Sequence, residues 1–256
     1  MKSLKKIISL LAVVRILSTS IFSLSSITAS ATTVPDIRLH SSEFVIKAAR
    51  GLYTRDIYIK VRDTEKYGRT FVHYETAPGK AWTDVEAVKT NLQSRDGYSI
   101  YKATICTNSR NTKFALKYDF VASALWDNNY YQDFTDLTLG YNENIKAERT
   151  NRTYSNYYDV SAILRNISYA KEVKCVYSED NFKTKKTINL NYKEFVNGTS
   201  YGSQMERWTG RITGIKNTNN LKFYLTYKTL ADGKTYTDNN FNQNYNYNYT
   251  IVNEPY

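Results

Sequence analysis

Cysteine, histidine and proline are scarce in this chain: its 256 residues include two, two and three of them. The two cysteines and two histidines all stand at least 33 residues apart, without the close Cys and His pairs of a four-ligand zinc cluster. The histidines, His40 and His73, stand in unrelated local contexts, which leaves no pattern for a Ser-His-Asp triad or a histidine-rich metal site. A catalytic reading must therefore rest on carboxylates. Glycoside hydrolysis needs two of them about 5–10 Å apart in a cleft, and no local signature picks out a pair. No segment keeps a helical period over three turns, and beyond the N-terminal region no apolar run is long enough to cross a bilayer.

The chain is 41% hydrophobic, enough to bury a core, and its length suits one large or two modest domains. Residues 1–31 read as an export signal. Lys2, Lys5 and Lys6 precede an apolar run from Ile7 to Leu24, and Ala29-Ser30-Ala31 supplies the small residues at a cleavage site. The mature protein is then expected to be secreted, without a transmembrane segment. Its formal charge falls from +11 to +7, because the leader carries Lys2, Lys5, Lys6 and Arg15 and no acid. The remaining Lys and Arg residues are scattered rather than clustered, which reads as a solvated basic surface and predicts no nucleic-acid partner; association with an anionic cell wall stays open.

What remains is β-patterned. Apolar residues alternate in Ile57-Tyr58-Ile59-Lys60-Val61-Arg62, at Val173, Cys175 and Tyr177, and at Phe223, Leu225 and Tyr227. Turn-formers such as Asn197-Gly198 and Asp232-Gly233 separate such runs, so the pattern predicts an all-β sandwich. Cys106 and Cys175 are free to pair across domains or to stay thiols; the apolar strand face under Cys175 favours thiols.

The chain also resembles itself. Lys113-Phe114-Ala115-Leu116-Lys117-Tyr118 followed by Asp127-Asn128-Asn129 matches Lys222-Phe223-Tyr224-Leu225-Thr226-Tyr227 followed by Asp238-Asn239-Asn240, with Phe134 and Tyr245 each five residues after the Asn-Asn pair. Upstream, strands ending at Tyr74 and Tyr177 correspond, and Trp82 follows the first as Phe182 follows the second. This predicts two modules, 36–138 and 157–253, with a connecting segment 139–156.

Asn166 through Val173, Tyr177, Asp180-Asn181-Phe182, Lys222 through Tyr227 and Asp238-Asn239-Asn240 through Tyr245 resemble the family 21 carbohydrate-binding module, and so does Trp126-Asp127-Asn128-Asn129 in the first copy. That family includes the starch-binding domain of fungal glucoamylase and the glycogen-targeting domain of protein phosphatase 1 subunits. The resemblance implies two tandem immunoglobulin-like antiparallel β-sandwiches that bind α-glucan without catalysis or cofactor, alongside a separate amylolytic enzyme as partner. The Arg/Lys-Val-x-Phe motif of phosphatase docking is absent. An α-glucan presents apolar sugar faces and equatorial hydroxyls, which suit exposed rings flanked by amides.

By resemblance, Trp82 and Trp126 match the family's first sugar-stacking site in the first module, with Asp127, Asn128 and Asn129 beside them. In the second module Phe182 and Tyr224 match that site, and Tyr169, Tyr192 and Tyr201 match the second site, with Lys171, Asn239, Asn240 and Asn244 as hydrogen-bonding neighbours. Tyr67 is a loose candidate for the second site of the first module. Strand alternation independently turns Tyr224 outward, where the first copy has Ala115. Trp208 reads as core, and the Asp-Asn-Asn runs also suit a turn-forming role. Two other readings stay open: a small hydrolase, and an envelope-binding protein that uses the same fold on another glycan or on a protein.

Overall fold

The computed structural model describes residues 36–47, 51–62, 68–120, 123–135, 139–151 and 156–253. Residues 1–31 and Tyr67 lie outside them. The first sheet runs β1 (Asp36–Lys47), β2 (Tyr53–Arg62), β6 (Ser99–Thr107), β5 (Val88–Gln93), and it faces a second sheet of β4 (Trp82–Glu86), β3 (Arg69–Glu75), β7 (Phe114–Phe120) and β8 (Ser123–Asp127). Leu39, Ile57, Ile59, Val72, Phe114 and Leu116 fill the space between them. Each such side chain contributes about 1.5–3 kcal/mol on burial.

The pattern then repeats. β9 (Ile145–Glu148), β11 (Tyr158–Arg165), β15 (Ser203–Ile212) and β14 (Asn191–Ser200) form a sheet in the same strand order as the first. Opposite it lie β13 (Lys186–Asn189), β12 (Lys171–Ser178), β16 (Lys222–Thr229) and β17 (Thr235–Asp238), in the order of the β4-β3-β7-β8 sheet. Ala162, Leu164, Cys175, Phe223, Leu225 and Tyr227 pack between them. The fold is all-β and built of sandwiches. Part of the predicted connector, residues 145–148, is the first strand of the second repeat. Nearby, β10 (Thr150–Asn151) pairs with the C-terminal β19 (Thr250–Asn253), which pairs in turn with β1. A short β18 (Tyr245–Asn246) borders β16.

The two Asp-Asn-Asn loops are near-copies in atomic detail. Asn129, Tyr130, Tyr131 and Asp133 all have φ between 55° and 68°, and so, within 51° to 66°, do Asn240, Phe241, Asn242 and Asn244. The Asp127 carboxylate accepts from the Asn129 amide at 3.3 Å, as Asp238 does from Asn240. Asp133 donates its amide to Asn128 O at 2.8 Å, as Asn244 does to Asn239 O. Three consecutive left-handed residues are costly for non-glycine side chains, and the Asp and Asn side chains compensate by satisfying the turn's amides.

Contacts between the repeats are reciprocal. The turn between β14 and β15 lies on the first Asp-Asn-Asn loop: the Tyr201 amide donates to Asn129 Oδ1 at 2.6 Å, and Asn129 Nδ2 donates to Thr199 O at 3.0 Å. The turn between β5 and β6 lies on the second loop, where Arg95 donates to Asn239 Oδ1 at 3.1 Å, while Phe241 stacks on His40 from β1 at 4.5 Å. Phe241 also meets the Tyr58 ring of β2 at 5.8 Å. Lys60, which alternation alone would leave in water, is 1% exposed and pairs with Glu143 at 2.8 Å and Asp96 at 3.1 Å. Glu43 is buried between Lys146 and Arg149, whose charges hold its carboxyl below the usual range against the opposing effect of burial. Leu139, Ile163, Val196 and Met205 form a small apolar cluster of their own.

Candidate functional site

On the outer face of the first repeat, β3 alternates so that Val72 and Tyr74 face the core and His73 faces out. His73 lies opposite Asp84 on one side and Ala115 on the other. Trp82 stacks on the His73 ring at 4.9 Å with 23° between planes, and Trp126 meets its edge at 5.4 Å. Asp84 Oδ1 is 2.5 Å from His73 Nδ1, and Lys117 lies 5.7 Å from the Trp126 ring. Trp126 is half exposed. Two indoles joined through an imidazole, with a carboxylate and an ammonium at the rim, put stacking area and hydrogen-bonding groups on one surface. His73 is the residue that sequence reasoning missed. The same alternation that exposes Tyr224 also exposes it.

On the second repeat, the strand register changes one expected equivalence. Tyr74 and Tyr177 occupy matching positions opposite Phe114 and Phe223, and each pairs on its other side with the residue nine positions on, Thr83 and Lys186. Counted along that register, Trp82 corresponds to Lys185 and Phe182 to Gly79, not Trp82 to Phe182. The backbone agrees, since Gly79 and Phe182 share a left-handed φ of 69° and 66°. Phe182 instead reaches Tyr224 from the turn, with ring centroids 5.7 Å apart. The positions of His73 and Trp126 are taken by Val176 and Thr237.

A third surface opens at the edge of the second sandwich. Tyr169, Lys171, Tyr192, Phe195, Glu206 and Trp208 line a groove of about 720 Å³, a size typical of ligand sites. Tyr169 is fully exposed and Tyr192 half exposed. Glu206, buried, accepts from Lys171 at 2.9 Å and from the Trp208 indole at 2.8 Å, which fixes both at the base of the groove. Trp208, expected in the core, packs against it while one edge lines the groove.

The remaining candidates lie elsewhere. Tyr201 is not in the groove: its amide holds Asn129, and its hydroxyl donates to Asp127 and accepts the Leu39 amide at 2.9 Å. Asp127 and Asn129 are buried, and Asn128, Asn239, Asn240 and Asn244 form the two tight loops. Burial raises the Asp127 carboxyl above its usual range despite the Tyr201 hydroxyl and the Asn129 amide. Their turn-forming role is therefore the observed one, and the loops join the repeats rather than the groove. Cys106 and Cys175 are both free, with Cys106 exposed and burial pushing the Cys175 thiol well up.

No family model matches the chain, and no curated protein matches it. Among solved structures, it is similar to the solution structure of the carbohydrate-binding module of the muscle glycogen-targeting subunit of protein phosphatase-1. The match has 22% identity and a TM-score of 0.32, and covers 40% of this chain and 73% of that one.

Proposed function

We propose that this is an exported, non-catalytic protein that binds α-glucan. The observation that carries the reading is the Trp82–His73–Trp126 surface, where large rings lie on the solvent face of a rigid sheet rather than in the core. Rings of this kind offer stacking area with little loss of side-chain entropy. The Tyr169–Tyr192 groove is a second surface of the same chemical character on the other repeat. Two weak sites on one chain raise avidity for a polymer by about 10²- to 10⁴-fold where both engage together. The leader pattern of residues 1–31 supports export, and a separate amylolytic enzyme is the natural partner.

The test is retention of residues 32–256 on granular starch, with cellulose as control and maltoheptaose as competitor. Retention that maltoheptaose abolishes is the expected result, and Trp82→Ala with Trp126→Ala is expected to lower it without unfolding the protein. No retention, or retention indifferent to both substitutions, removes this surface from α-glucan binding. Salt-sensitive binding to cell wall without binding to starch would favour the envelope reading.

A further inference from the structure

The outer faces of the two repeats share strand register but not chemistry. Where the first has Trp82, the second has Lys185; where the first has Asp84, the second has Thr187; and the turn that precedes them, between β12 and β13, carries Lys183. Phe182 and Tyr224 supply a ring pair at 5.7 Å, and Lys222 donates to Asn181 Oδ1 at 2.8 Å beside it.

The acids of this turn do not neutralise those lysines. Glu179 accepts the amides of Lys216 and Asn217 at 2.7 and 3.1 Å and pairs with Lys186 at 3.4 Å. Asp180 is held inside the turn by Thr184 and by the Ser178 hydroxyl at 2.7 Å. Among the described residues, Lys183 and Lys185 are exposed and have no carboxylate partner. A ring pair beside two unpaired ammonium groups suits a sugar that carries an anionic substituent.

We infer that the Phe182–Tyr224 face of the second repeat binds a phosphate-bearing α-glucan, the rings stacking on a glucose unit and Lys183 and Lys185 pairing with its phosphomonoester. This rests on the α-glucan reading for the polymer and adds the phosphate. The first repeat then holds unmodified stretches of the same chain. Since both lysines are exposed, each pairing is weak and screened by salt.

Amylopectin that bears phosphomonoesters, and the same polymer after enzymatic dephosphorylation, separate the two claims in affinity electrophoresis with the full mature chain. The wild-type protein is expected to bind the phosphorylated polymer about 3- to 10-fold more tightly at low salt, with the preference fading near 0.5 M NaCl. Lys183→Gln with Lys185→Gln is expected to erase the preference and leave binding to the dephosphorylated polymer unchanged. Phe182→Ala is expected to weaken the phosphorylated polymer more than the other. Equal binding of both polymers by the wild-type protein, or a preference that survives the lysine substitutions, overturns the inference while leaving α-glucan binding intact. Binding of neither polymer overturns both readings. Binding of the phosphorylated polymer alone supports the lysine site and removes the neutral one.

Discussion

Tyr201→Phe is the most informative single substitution, because one hydroxyl links the two repeats. In the second repeat, Tyr245 donates to Asp238 at 2.7 Å, so that loop's carboxylate has its phenol from within the same sandwich. The first repeat has Phe134 at the corresponding position and borrows the hydroxyl of Tyr201 from its neighbour, whose ring packs edge-on to Phe134 at 5.6 Å. Removing that oxygen deprives a buried carboxylate of a charge-assisted bond, which costs about 1.5–3 kcal/mol. The Leu39 amide is not orphaned, since Asp127 Oδ2 still accepts it at 3.2 Å. For a protein of this size the loss corresponds to roughly 3–12 °C in Tm.

The pH dependence has a definite sign. Asp127 is already raised by burial, and losing the phenol raises it further. A carboxyl raised in the folded state disfavours folding only once it ionises, so its unfavourable contribution is absent below the usual carboxylate range and grows as pH rises through the folded value. The Tyr201→Phe deficit is therefore largest at neutral pH and narrows towards pH 3. Urea unfolding at several pH values reads this directly, and Phe134→Tyr added to Tyr201→Phe is expected to recover part of the loss. A deficit below about 0.5 kcal/mol at pH 7, or one of equal size at pH 3, refutes the reasoning.

The remaining predictions are simpler. His40 is held well below its ordinary value, by burial first and then by Lys146 and Lys60 against Glu43 and Asp96, with Glu143 at 3.7 Å. Its neutral form is thus favoured in the fold, and stability is expected to fall by up to about 1.4 kcal/mol per pH unit as pH drops below about 6.5, a slope that His40→Gln should flatten in urea titrations. Gly140→Ala would place a Cβ 1.9 Å from His40 O and 2.5 Å from Leu39 O, and is expected to cost more than about 2 kcal/mol by thermal unfolding. Iodoacetamide is expected to label Cys106 in the native protein and to reach Cys175 only in denaturant, because the latter thiol is buried and kept neutral; native labelling of both would contradict the packing.

Much of the fold was legible because strand alternation is a local property. Phe114-Leu116-Tyr118 and Phe223-Leu225-Tyr227 announced an inward face in each repeat, and those residues are the buried ones. The outward rings followed by the same rule, which places Tyr224 correctly and would have found His73. The Trp82–Phe182 equivalence failed for a different reason. Similar order and approximate spacing conceal a three-residue offset, and only the ladder between β12 and β13 shows that Lys185 stands in the tryptophan's place.

The sequence by itself determined that this chain folds as a doubled β-sandwich, that each copy has an Asp-Asn-Asn turn, and that aromatic rings are left over once the cores are filled. Which of the rings that alternation leaves off the core stay in solvent, and which are covered by the other repeat, was decided only in three dimensions. Tyr169 and Tyr201 look alike in the sequence, yet one is fully exposed and the other joins the repeats. Alternation specifies which side of its own sheet a residue takes, and nothing in it says what will cover that side. The covering elements come from about 80 to 160 residues away, as with Lys60 beneath Glu143 and Leu39 against Tyr201, so the burial of those groups is a property of how the two repeats meet.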